Sequence, residues 1–115
     1  MKIIIKATNI KLTEALEEWV RMKLEPLARF EKSLEEKDVL PSLREKPRVE
    51  ICTEIGKTTY HHRKGDVFRA EIQIRLPKKS IRAEAVSDDL RAAIVEARDE
   101  TARQLKRYKE KFLNF

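Results

Sequence analysis

The sequence predicts an α+β fold of order β-α-β-β-β-α: a four-stranded mixed sheet with two helices packed on one face. Three observations carry this. Four short segments are rich in β-branched residues or alternate apolar with polar positions, as half-buried strands do. Two longer segments instead repeat apolar residues every three or four positions, the period of an amphipathic helix. A helix separates the first two strands, which makes them parallel and joined by a right-handed crossover. The remaining strand links are short and give antiparallel pairs.

The first strand runs from Lys2 to Ala7 on the β-branched Ile3, Ile4 and Ile5. Asn9 to Leu12 form a turn, and Thr13 is an N-cap with Glu14, Glu17 and Glu18 favouring the first helical turns. Ala15, Leu16, Trp19, Val20, Leu24, Leu27 and Phe30 form the apolar stripe of a helix over about 13–31, and Pro26 should bend its end. Residues 32–47 are charged, and Val39, Leu40 and Leu43 are expected to pin them to the body. In the second strand, Arg48 to Ile55, residues Val49, Ile51, Thr53 and Ile55 face one way and Glu50, Cys52 and Glu54 the other. After a polar, basic loop over 56–65, Val67 to Leu76 points Phe68, Ala70, Ile72, Ile74 and Leu76 inward. Pro77 to Lys79 turn the chain, and Ser80 to Val86 form a fourth strand with Ile81, Ala83 and Ala85 inward. Ser87, Asp88 and Asp89 offer caps for a second helix over about 88–111, whose stripe is Leu90, Ile94, Ala97, Thr101, Leu105, Tyr108 and Phe112.

The 115 residues suit a single domain, 1–115, able to bury one core. Charged residues make up 40% of the chain, against about a quarter in an ordinary domain. The net charge of +6 is unevenly placed. Residues 1–54 carry 11 basic and 11 acidic side chains, whereas residues 55–115 carry 15 and 9. One cysteine, Cys52, excludes an internal disulfide. No stretch is apolar enough to span a membrane, and the N-terminus lacks the pattern of a signal peptide, so a cytoplasmic protein is expected.

Catalytic chemistry finds little support. His61, His62 and Cys52 lack the fourth ligand a zinc site needs. Cys52 has no base or helix N-terminus to activate it. Lys64, Gly65 and Asp66 form a turn before a strand, which is the wrong setting for a phosphate loop. Trp19 belongs to the apolar face of its helix, and Tyr60, in a basic loop, is the better stacking residue. No cofactor, metal or small-molecule substrate is expected. The strongest constellation is the second helix: Arg91, Arg98, Lys106 and Lys109 share one side of its solvent face, with Arg103 and Arg107 farther round. Lys23 and Arg29 fall off the stripe of the first helix, so helices lying side by side would present one basic platform able to track phosphates. Arg82 joins this set from the polar sheet face, which should meet water or a partner. The competing reading is ordinary helical ion pairing, such as Glu96 with nearby arginines, and a solubilising surface.

Asn9-Ile10-Lys11-Leu12-Thr13-Glu14-Ala15-Leu16, followed by Val20 and Lys23-Leu24, resembles the N-terminal motif of the ribosome hibernation promoting factors, also called ribosome-associated inhibitors. Gly65 to Glu71 resembles that family's third strand. Asp88-Asp89-Leu90, Ala92-Ala93-Ile94 and Arg103 to Lys111 resemble its second helix. The likeness runs through nearly the whole chain in order. It implies a fold similar in outline to double-stranded-RNA-binding domains. It also implies binding to the small ribosomal subunit and its rRNA, alone or in the whole ribosome, in the channel that messenger and transfer RNA use. Translation then stops by occupancy, without catalysis. Lys23, Arg103, Arg107, Lys109 and Lys111 match the family's basic positions, whereas Arg91 stands where the family usually has Tyr, and Glu100 and Pro26 where it often has Lys. The length resembles the short type, which lacks a ribosome-pairing C-terminal domain. A general double-stranded-RNA binder and a protein-interaction domain are the alternatives.

Overall fold

A computed structural model of the chain describes residues 2–36, 49–58, 65, 67–76 and 79–112. The order is β1 (Lys2–Thr8), α1 (Glu14–Glu36), β2 (Glu50–Thr58), β3 (Val67–Leu76), β4 (Lys79–Ser87) and α2 (Leu90–Phe112). The sheet follows chain order, β1-β2-β3-β4, with β1 parallel to β2 and the other pairs antiparallel. The expected architecture is therefore the observed one. The expectations for Val39, Leu40 and Leu43, for Tyr60, His61 and His62, and for the turn at Pro77 lie outside the described residues.

Local chemistry sets the element ends. Thr13 caps α1: its hydroxyl accepts from the Leu16 amide at 3.2 Å and its carbonyl from the Glu17 amide at 2.9 Å. Asp89 caps α2, its carboxylate accepting from the Arg91 amide at 3.0 Å. The helix thus begins two residues later than its first acid suggests. Asn9 takes φ 59, a left-handed conformation that Asn tolerates better than most residues, and its side chain donates to the Lys57 carbonyl at 3.4 Å. Pro26 does not end α1, which continues to Glu36. Proline lacks the amide that would pair with the Met22 carbonyl, but Met22 is exposed, so water can take that place. Gly65, at φ 90, fits the expected turn before β3.

The core lies between the sheet and both helices. Val20, Leu24, Leu27 and Phe30 of α1 meet Ile51, Ile55, Ile72, Ile74 and Ile81 of the sheet and Ile94, Ala97, Leu105 and Tyr108 of α2 in one cluster. Ile3, Ile5 and Ala7 pack against it, whereas Ile4 turns to the open sheet face. Two stripe assignments need correction. Ala15 is exposed, because it falls on the solvent edge of α1. Phe68 is half-buried while Val67 is buried, so the inward alternation of β3 becomes regular only from Ala70. The side chain of Phe112 lies outside the described residues.

β2 runs three residues farther than expected, through Gly56, Lys57 and Thr58. Gly56 pairs with Thr8 at the end of the parallel ladder. A β-carbon there would stand 2.4 Å from the Thr8 carbonyl oxygen, so only glycine lets the two strands close.

Candidate nucleic-acid interface

α1 and α2 lie side by side over the same sheet face, and their seam gathers much of the exposed positive charge. At one end Trp19 is half-buried, with Lys23 Nζ 5.5 Å and Arg91 Cζ 5.0 Å from its ring centre. Each cation gains from the ring quadrupole. Trp19 is therefore a core-edge residue, as expected, and also a node joining cations from both helices. At the other end Pro26, Leu27 and Phe30 of α1 and Ala102 and Leu105 of α2 form an apolar depression, rimmed by Arg29, Lys106 and Lys109. Lys109 Nζ sits 5.0 Å from the centre of the Phe30 ring. Tyr108 meets the same ring edge-on at 6.0 Å.

The remaining candidates are less uniform. Arg98 is paired with Asp99 at 2.8 Å, and Arg103 with Glu100 at 2.7 Å. That pairing holds the Glu100 carboxyl below its ordinary pKa, with Arg107 adding a weaker attraction. Ion pairing on α2 thus exists, but Glu96, the acid expected to provide it, makes no ion pair among the described residues. Lys23, Arg29, Arg91, Lys106 and Arg107 likewise carry none. Lys111 falls seven residues after Gln104, on the flank where the Gln104 amide donates to the Arg82 carbonyl at 3.0 Å, away from the seam.

Arg82 is on the opposite side of the sheet. Glu71 and Glu84 face each other across β3 and β4, and two arginines separate them. Arg69 grips Glu84 side-on through its Nε and Nη2, at 2.9 and 3.0 Å, and also bonds Glu71. Arg82 bonds Glu71 at 2.7 Å. The Glu71 carboxyl is held below its ordinary pKa first by the Arg82 hydrogen bond and then, against partial burial, by Arg69. This quartet is neutral as a whole, so Arg82 adds no free charge to the helix platform. Sequence patterning placed all four residues outward but could not show them paired.

Also on the open face, the Cys52 thiol donates to Glu50 at 3.4 Å, and burial followed by that carboxylate pushes its pKa up. A protonated thiol is a poor nucleophile. Among the described residues no three His, Cys, Asp or Glu side chains are grouped closely enough to hold a metal. No helix of the described residues is long and apolar enough to cross a membrane.

Comparisons with known proteins agree with the fold. The chain is 31% identical over 112 residues to the ribosome hibernation promotion factor of Picosynechococcus sp., covering 96% of this chain and 50% of that protein, so it spans about half that relative's length. The N-terminal domain of Protein Y from Thermus thermophilus superposes with a TM-score of 0.63 at 28% identity, covering 94% of this chain and 99% of that one. A ribosomal subunit interface protein from Coxiella burnetii gives 0.61 at 21% identity, with 96% and 100% covered, a likeness of fold. The family described as sigma 54 modulation protein / S30EA ribosomal protein matches residues 3–112, and the chain belongs to it.

Proposed function

We propose that this domain binds the small ribosomal subunit, alone or in the whole ribosome, and stops translation by occupying the channel that messenger and transfer RNA use. The observation that carries this is the α1–α2 seam. Four cations without ion pairs among the described residues, Lys23, Arg29, Arg91 and Lys106, lie along it, and Arg107, also without one, stands on the outer flank of α2. Exposed cations on one face attract a polyanion and release its counterions on docking. Ribosomal RNA as that polyanion is supported by the family, described as sigma 54 modulation protein / S30EA ribosomal protein, and by a relative named for ribosome hibernation. Ribosomal RNA is then the contacted surface, the cytoplasm the place of action, and no catalytic group or cofactor is required.

The test is competition. Purified small subunits preloaded with messenger and initiator transfer RNA should exclude the protein, and empty subunits should bind it. Added protein should lower translation in a reconstituted system, with recovery when messenger RNA is raised. Undiminished binding to preloaded subunits would contradict occupancy as the mechanism. Equal affinity for plain RNA duplex and for subunits would favour a general double-stranded-RNA binder.

A further inference from the structure

We propose that the α1–α2 seam takes a single-stranded stretch of RNA, with one unstacked base seated on the exposed Pro26 and Ala102 above the buried Phe30, and its phosphates on Arg29, Lys106 and Lys109. This rests on the RNA-binding reading above and names the form of RNA recognised. Phosphates alone require cations, not an apolar floor. Here the depression is about 320 Å³, and its floor of Pro26, Leu27, Phe30, Ala102 and Leu105 holds no acid, while its rim is wholly cationic. The open sheet face has a depression of about 300 Å³, but Lys6 and Arg75 share it with Glu50, Glu54 and Glu71, so its charge is mixed. Of these two depressions among the described residues, the one at the seam combines a water-shunning floor with one sign of charge. The occupant that matches is apolar and flat on one side and anionic on the other, as a nucleotide is.

Two further features favour a strand over an isolated nucleotide. Phe30 is held edge-on by Tyr108, so it is a fixed wall. Trp19, with Lys23 and Arg91 on its ring, repeats the cation–aromatic pairing 11 positions earlier on α1, roughly 16 Å away at 1.5 Å per residue. A strand of a few nucleotides spans that distance. A duplex keeps its bases stacked inside and offers none to the depression.

Fluorescence anisotropy with the full chain tests this, using a labelled single-stranded RNA of about eight nucleotides, a hairpin of equal phosphate count, and AMP. The single strand is expected to bind about tenfold tighter than the hairpin, and AMP far more weakly than either. Ala102→Trp fills the depression from an exposed position of its floor and should cut single-strand binding about tenfold, within the range for losing one stacked base, with melting unchanged. If that variant melts early, Arg29→Gln with Lys106→Gln, both exposed, reads the same loss. Equal hairpin binding, AMP binding as tight as the strand, or no loss in the folded variants would overturn the proposal. Sedimentation with small subunits separates the two claims. Subunit binding without single-strand preference defeats this inference alone, whereas no subunit binding by the unaltered protein defeats the reading beneath it.

Discussion

Thr53 buries its hydroxyl with no hydrogen-bond partner, and it is the one described side chain to do so. The contrast is Thr101, equally buried, whose hydroxyl donates to the Ala97 carbonyl at 2.8 Å. An unsatisfied buried hydroxyl costs about 1–3 kcal/mol, and valine has nearly the same shape. Thr53→Val should therefore raise stability by about 1 kcal/mol, a gain of roughly 3–6 °C in melting temperature by calorimetry. Glu71 gives a pH-dependent counterpart. Its pKa is lowered in the folded protein, so its stabilisation is present above the ordinary carboxylate range and is lost as pH falls through the folded value. Glu71→Gln should cost about 1 kcal/mol at pH 7, and the gap from the parent should shrink as melting is repeated in increasingly acid buffer. A gap that stays constant with pH would show that the carboxylate charge is not what holds the two arginines.

At the scale of elements, periodicity placed five of the six, because each buries one face and so leaves a two- or three-to-four-residue repeat in the sequence, while β1 was legible from its run of β-branched residues. The stripe of α2 from Leu90 through Ile94, Ala97, Thr101 and Leu105 to Tyr108 is the clearest case. Ends were less legible, since they depend on contacts made elsewhere. β2 continues to Thr58 because Thr8 of β1 pairs with Gly56 and because Phe68 and Val67 of β3 pair with Lys57 and Thr58, and nothing in the local composition of Gly56-Lys57-Thr58 announces that. The same is true of Ile3, Ile4 and Ile5, whose three identical side chains carry no alternation to say which faces inward. Gly56→Ala tests the close approach. Its β-carbon would meet backbone, which cannot step aside as a flexible side chain would, so a loss of about 1–3 kcal/mol is expected in chemical denaturation. Amide exchange should rise at the β1 end while α2 stays protected.

Over the whole molecule, the site was only partly legible. Spacing along a helix correctly put Arg91, Lys106 and Lys109 on one side, and the seam with α1 then joined them to Lys23 and Arg29. It could not show that Asp99 would take Arg98, that Glu100 would take Arg103, or that Arg82 would be tied into a neutral quartet across the sheet, because those pairings depend on rotamers and cross-strand register. The central claim is that the cations left over meet phosphates of the small subunit. The salt dependence of that affinity measures it most directly. Each phosphate contact contributes about 0.7–0.9 to the slope of log affinity against log salt. Neutralising Arg29, Lys106 and Arg107 together to glutamine should flatten the slope by about 2 while leaving the melting temperature within a few degrees of the parent. A triple variant with the parent's slope and the parent's affinity would contradict the account.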